Sequence, residues 1–135
     1  IIDENKNLSK SGQRFIYNHT GNGIVELDRL HLKNIMANLL SNAIKFSPEN
    51  STVTVQTYVS DTKIQIVVTD EGIGIPEDDL KHLFEPFFRT KNAQFIPGTG
   101  LGLHIIVQYL DLMNGTINCV SELGKGAKFI IEFNK

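Results

Sequence analysis

The chain has 135 residues, 41% hydrophobic and 21% charged, with a net charge of −2 and one cysteine. That length makes one domain, able to bury roughly two-thirds of its unfolded surface around a single core. The composition is that of an ordinary soluble globular protein, and its slightly acidic balance argues against a dedicated nucleic-acid or anionic-membrane binder. No apolar run approaches a membrane span, and no signal-peptide pattern opens the chain. Cys119 has no partner for an internal disulfide and reads as a buried, inert thiol in a reducing, cytoplasmic setting. Ile1 in place of Met suggests a piece of a longer protein, one whose parent is cytoplasmic or membrane-anchored.

Residues 1–13 are polar and lack periodicity, so they read as a linker or the end of a preceding helix, with the domain proper over 14–135. Residues 14–18 and 24–27 predict two short strands joined by the His19-Thr20-Gly21-Asn22-Gly23 turn, a hairpin. Asp28 is a good N-cap for a helix to Phe46, where Ser47-Pro48 stops it. The β-branched, alternating runs 52–59 and 63–69 form a second hairpin. Pro76 starts a short helix over 77–84, with acidic residues in its first turn as the helix dipole favours. Residues 89–99 are a loop, and a helix over 100–113 ends at Asn114-Gly115, a C-cap signal. Residues 116–121 and 127–133 form a last hairpin across Gly124-Lys125-Gly126. Three helices and about six strands predict an α+β two-layer sandwich, its mixed and mainly antiparallel sheet covered on one face.

The helix over 28–46 carries unusual polar residues. Leu32, Ile35, Met36, Leu39, Leu40 and Ala43 make a core face. Asn34, Asn38, Asn42 and Lys45 share the opposite stripe, within about 80° of arc. Asparagine is a poor helix-interior residue because its amide competes for backbone groups, and a merely solvated face would favour Lys, Glu and Gln. Neutral oxygen donors for a hard cation, with a lysine beside them for phosphate, fit the choice better. Magnesium needs few protein ligands, so any one of the three amides could serve.

Two glycine-rich turns complete the pattern. Asp70-Glu71-Gly72-Ile73-Gly74-Ile75-Pro76 follows an apolar strand, and Gly98-Thr99-Gly100-Leu101-Gly102-Leu103 opens a helix. Glycine backbones approach a ligand closely, and free N–H groups at a helix start bind anions. A carboxylate beside one turn and phosphate-directed amides beside the other describe a nucleotide clamp. An ionised carboxylate only accepts hydrogen bonds, so Asp70 suits the adenine amino group and repels a guanine O6.

These residues resemble the catalytic domain of two-component sensor histidine kinases. Asn38-Leu39-Leu40-Ser41-Asn42-Ala43-Ile44-Lys45-Phe46-Ser47 is similar to its N box and Asp70 to Gly74 to its first glycine box. Phe84-Glu85-Pro86-Phe87-Phe88-Arg89 resembles its F box and Gly98 to Leu103 its second glycine box. All four stand in family order. The resemblance implies the Bergerat ATP-binding fold, shared with gyrase, MutL-type and heat-shock chaperone ATPases. It implies that Asn42 holds Mg²⁺ with Asn38 nearby, that Lys45 meets the phosphates, and that Phe46 packs on adenine where the family more often has Tyr. Asp70, with Gly72, Gly74 and Ile75, would bind adenine, and Arg89 would reach the γ-phosphate. Residues 89–99 would be a mobile ATP lid, with Gly98, Thr99, Gly100, Leu101, Gly102 and Leu103 on its phosphate side. Phe84 and Phe87 are expected to be packing residues that anchor one end of that lid. Two positions depart from the pattern: Ala127 replaces a frequent hydroxyl residue, and Asn38 stands where related ATPases keep a general-base glutamate.

The glycine box at 98–102 is not a dinucleotide fingerprint, Gly124-Lys125 is not a P-loop, and nothing reads as a zinc site. None of His19, His31, His82 and His104 is followed by the acidic residue of the family's phosphoacceptor motif. The expected activity is therefore transfer of the γ-phosphoryl of Mg-ATP to a histidine on a separate dimerisation domain, with a response regulator downstream. The isolated domain would be a monomer, its parent a homodimer, with no nucleic acid and no direct membrane contact. The alternatives are a same-fold ATPase, an anti-sigma-type serine kinase, or a non-catalytic nucleotide-dependent interaction module.

Overall fold

In this computed structural model the described residues are 9–21, 26–90 and 101–135. Strand β1 (Arg14–Gly21) is followed by helix α1 (Arg29–Phe46), β2 (Thr52–Val59), β3 (Lys63–Thr69) and the one-turn helix α2 (Glu77–Leu80). Helix α3 (Gly102–Met113), β4 (Gly115–Glu122) and β5 (Gly126–Asn134) complete the order. The five strands form one sheet in the order β1-β2-β3-β5-β4. β1 runs parallel to β2, and the other three pairings are antiparallel.

Strand alternation decides which face is covered. Val53 and Val55 of β2, Ile64, Ile66 and Val68 of β3, and Ala127, Phe129, Ile131 and Phe133 of β5 are buried at every second position. They meet Ile35, Met36, Leu39, Leu40 and Ala43 from α1 and Ile106 and Leu110 from α3 in one core. Each Val, Leu, Ile, Met or Phe among them contributes about 1.5–3 kcal/mol on burial. With that face packed into the core, the stripe of Asn34, Asn38, Asn42 and Lys45 on α1 stays half-buried outside it.

The local signals for the helix ends hold. Asp28 caps α1, its Oδ1 accepting from the His31 amide at 2.9 Å. Asn114 closes α3 in the left-handed conformation at φ 57°. The expected turn at His19-Thr20-Gly21 is strand instead: β1 runs through it, paired with β2 from Arg14↔Thr52 to Gly21↔Val59, while Glu26 and Leu27 carry no strand and Ile24 and Val25 lie outside the described residues. The connection instead crosses over through α1, as parallel neighbours require. α2 also ends at Leu80, short of the expected Phe84, and turns continue to Phe87.

Candidate functional site

The second half of α1, the residues just after β3 and the start of α3 line a cavity of about 310 Å³. Asp70, the first residue after β3, is 7% exposed. Its Oδ1 accepts from the Gly72 amide at 2.9 Å and the Ala127 amide at 3.2 Å, and its own amide donates to the Ala127 carbonyl at 2.9 Å. Burial pushes the carboxyl above its ordinary value, and the two amide bonds offset part of that rise. Neither amide uses Oδ2, which retains its capacity to accept.

The turn that carries Asp70 is fixed on two sides. Against α1, the Ile73 amide donates to the Phe46 carbonyl at 3.2 Å. Against the β4–β5 hairpin, the Gly124 amide donates to the Ile73 carbonyl at 2.9 Å and the Ile75 amide to Ser121 Oγ at 2.8 Å. The same hydroxyl donates to the Gly126 carbonyl at 2.8 Å. This closeness explains the glycines. A Cβ on Gly72 would lie 2.5 Å from the Phe46 oxygen; Gly74 has φ +75°, and a Cβ there would lie 2.2 Å from the Glu122 oxygen.

Across the cavity stand Asn38, Asn42, Lys45 and Phe46. Asn38 Nδ2 donates back to the Asn34 carbonyl at 2.9 Å, which leaves its Oδ1 to face the start of α3. A Cβ built on Gly102 would sit 3.5 Å from Asn38 Oδ1 and 3.6 and 3.7 Å from the two amide atoms of Asn42. The α3 N-terminus, whose first amides have no intrahelical acceptor, therefore stands beside both side-chain amides. Among the described residues no group of three or more His, Cys, Asp or Glu could hold a metal ion. The donor set facing the cavity is instead amide oxygen plus ammonium. That set suits a magnesium ion shared with phosphate oxygens and unsuits a dedicated protein cage.

Asp70, Gly74, Ile75, Arg89, Leu101, Gly102 and Leu103 join Asn38, Asn42, Lys45 and Phe46 around this cavity. Gly72 is not part of the lining and acts through its amide bond to Asp70. Gly98, Thr99 and Gly100, like most of the expected lid, lie outside the described residues. Asn34 shares the stripe yet does not line the cavity. Ser41, Ile73, Leu83, Phe88, Ile105 and Phe129 also line it, as do Thr90 of the expected lid and Ala127, the residue that replaces a frequent hydroxyl. Ser41 carried a usable signal, because it falls beside Lys45 on the same helical stripe.

The aromatic pair divides. Phe84 packs against the core, and its carbonyl lies 3.2 Å from His104 Nδ1 on α3. Phe87 is not a packing residue: it is 71% exposed and has φ 63°. With α2 ended at Leu80, the helical spacing that would place 84 and 87 on one face is absent. The aromatic that reaches the cavity is Phe88, which also meets the His82 ring at 5.7 Å between centroids. Cys119 is half-buried, and burial together with the Asp70 charge pushes its thiol up to about 12, so it is inert.

A family profile described as "Histidine kinase-, DNA gyrase B-, and HSP90-like ATPase" matches residues 27–135. The chain belongs to that family. Among this family's members, the sensor protein RprX of Bacteroides fragilis is 39% identical over 114 residues, 82% of this chain and 22% of RprX. The chain thus spans about a fifth of that relative's length. The mycobacterial sensor histidine kinase MprB superposes with a TM-score of 0.87 at 28% identity, covering 98% of this chain and 90% of the solved one. Full-length ShkA in complex with AMPPNP superposes at 0.77 and 28% identity, over 90% of this chain and 25% of ShkA. The fold is the Bergerat fold of histidine kinase catalytic domains, a mixed sheet with helices, as its motifs implied. No described helix is long and apolar enough to cross a membrane.

The electrostatics of Asp70 give a stability test. Its folded pKa lies above the unfolded value of 3.8, so the folded state holds the proton more firmly. That contribution is present below the unfolded value and is lost as pH rises through the folded one. Asp70→Asn keeps an acceptor for both amides and removes the buried charge. Chemical denaturation should show the variant more stable than the parent at pH 7, with a smaller advantage at pH 4. Equal or lower stability at pH 7 would mean that the charge is not the costly form.

Proposed function

We propose that this chain binds Mg-ATP and transfers its γ-phosphoryl group to a histidine on a separate dimerisation and phosphoacceptor domain of the same kinase, in two-component signalling. The observation that carries this reading is the juxtaposition across one cavity of a buried carboxylate and an amide-and-lysine stripe. Asp70 accepts the adenine amino group through Oδ2, while Gly74 and Ile75 supply the wall beside it. Phe46 packs on the base. Lys45 and the α3 N-terminus, with Leu101, Gly102 and Leu103, meet the phosphates, and Arg89 reaches the γ-phosphate. Asn42, with Asn38 beside it, would hold Mg²⁺, which would supply neutralisation of the phosphate charge. The residues of the chain orient the nucleotide and balance developing charge, which is most of what phosphoryl transfer asks of a protein.

The kinase reading is favoured over the ATPase reading by the carboxylates. Asp70 is the only acidic side chain among the described residues that line the cavity, and residues 91–100 contain none. Asp70 is buried and engaged with two backbone amides. No general base is then at hand to activate water. A histidine acceptor needs none, because neutral imidazole carries a free lone pair. The chain's own histidines are occupied in local contacts: His19 with Thr57, His31 with Tyr109, His82 with Glu85 and Phe88, and His104 with the Phe84 carbonyl. The acceptor domain, a response regulator after it and a homodimeric parent complete the scheme.

Asn42→Ala should weaken Mg²⁺-dependent binding of an ATP analogue much more than metal-free binding, whereas Asn34→Ala should leave both unchanged. Alanine raises helix propensity, so neither variant should lose thermal stability. Calorimetry with and without Mg²⁺ separates the two positions, and greater sensitivity at Asn34 would remove Asn42 as the ligand. Incubated with γ-labelled ATP, the chain alone should neither label itself nor release phosphate at a meaningful rate. An added histidine-bearing dimerisation domain should gain acid-labile label, slowly, because the missing tether removes the effective-concentration advantage. Brisk phosphate release by the chain alone would turn the reading to a same-fold ATPase.

A further inference from the structure

Helix α1 ends without the means to close itself. Its last carbonyls have no intrahelical donors, and the usual remedy is a left-handed residue just after the helix. Here Ser47 is extended at φ −102° and ψ 145°, and Pro48 has no N–H to offer. The segment before β1 supplies the donors. Lys10 Nζ donates to the carbonyls of Lys45 at 2.9 Å and Ser47 at 2.7 Å. Gln13 Nε2 shares its two protons among the carbonyls of Ile44, Ser47 and Pro48, at 3.2, 3.1 and 3.3 Å. An ammonium at a helix C-terminus is also the sign of charge that the dipole favours.

The segment is itself built for this contact. The Lys10 amide donates to Gln13 Oε1 at 2.8 Å and the Gln13 amide to the Lys10 carbonyl at 3.1 Å, which folds the two side chains onto the same helix end. The Asn50 amide donates to the Ser11 carbonyl at 3.1 Å, and the Arg14 amide to the Ser51 carbonyl at 2.9 Å. The last turn held in this way carries Lys45 and Phe46, both on the cavity, and the Phe46 carbonyl receives the glycine turn of Asp70. The family match begins only at residue 27.

We propose that Lys10 and Gln13 are positioning residues of the nucleotide site, and that the functional unit begins at residues 9–13 and not at β1. The strap fixes the end of α1, and with it the distance between Lys45 and Asp70 across the cavity. Anything that pulls on the chain upstream of Lys10 therefore acts on ATP affinity. Linkage makes the effect reciprocal, so bound ATP tightens the strap.

The inference rests on the nucleotide reading above, and the experiment separates the two. Calorimetry with an ATP analogue and Mg²⁺ compares the 135-residue chain with the double variant Lys10→Met, Gln13→Met and with Lys10→Arg. The double variant should bind about fivefold or more weakly, and Lys10→Arg should keep affinity near the parent value. Hydrogen exchange at the Asn50 amide should slow when the analogue binds the parent, and should not respond in the double variant. A double variant that loses thermal stability yet binds within about twofold of the parent, with exchange at Asn50 indifferent to nucleotide, makes the strap purely structural and overturns the proposal. A parent chain that binds no ATP analogue overturns the nucleotide reading and the coupling with it.

Discussion

The carbonyls at the end of α1 must find donors, and the way they find them ties the molecule together. The first glycine turn takes the Phe46 carbonyl through the Ile73 amide, and Lys10 and Gln13 take those of Lys45 and Ile44. One helix end thereby joins three pieces of chain far apart in sequence. Because the turn is welded to α1, Asp70 stands at a fixed separation from Asn42 and Lys45. A helix closed by its own C-cap glycine would leave that separation to side-chain packing alone.

Asp70 gains its character from the same arrangement. Two backbone amides bond one oxygen, and burial raises the carboxyl above its ordinary value. The group is held rigidly in a poorly solvated place, where a hydrogen bond to a ligand competes little with water. Stability is given up for this, since a neutral side chain would be easier to bury. Such local conflicts between folding and environment are expected at functional sites. Burial, and after it the nearby Asp70 charge, push the Cys119 thiol up as well, which leaves it inert.

Much of this was legible in the sequence for definite reasons. Period-2 alternation set the buried faces of β2 and β3, and period 3.6 set the two faces of α1. Asp28 and Asn114 marked helix ends because their side chains and backbones do that work locally. The stripe of asparagines pointed to the cavity in part, since Asn38 and Asn42 line it and Asn34 does not. What stayed hidden depends on distant partners. Residues 14–18 look like half of a hairpin, and only the pairing with β2 some forty residues on makes them a parallel edge strand. Asn34 and Asn42 sit at opposite edges of one stripe, and only the start of α3 shows which edge meets the cavity. Phe87 sits in an aromatic box that suggests burial, yet the turn after α2 turns it outward. Lys10 and Gln13 lie in a polar stretch with no period, so nothing local distinguishes them from a linker.

In the proposed function, a fixed, acceptor-only carboxylate at Asp70 selects the base of the nucleotide. The most direct test of this selection is a calorimetric titration of ATP and GTP analogues into the parent chain and into Asp70→Asn, all with Mg²⁺. The parent should bind the ATP analogue measurably and the GTP analogue not at all, and the variant should stay folded but lose ATP binding. A charge-assisted hydrogen bond of this kind is worth roughly 1.5–3 kcal/mol, which is enough to see. Equal affinity of the parent for both nucleotides, or unchanged ATP affinity in the variant, would contradict it.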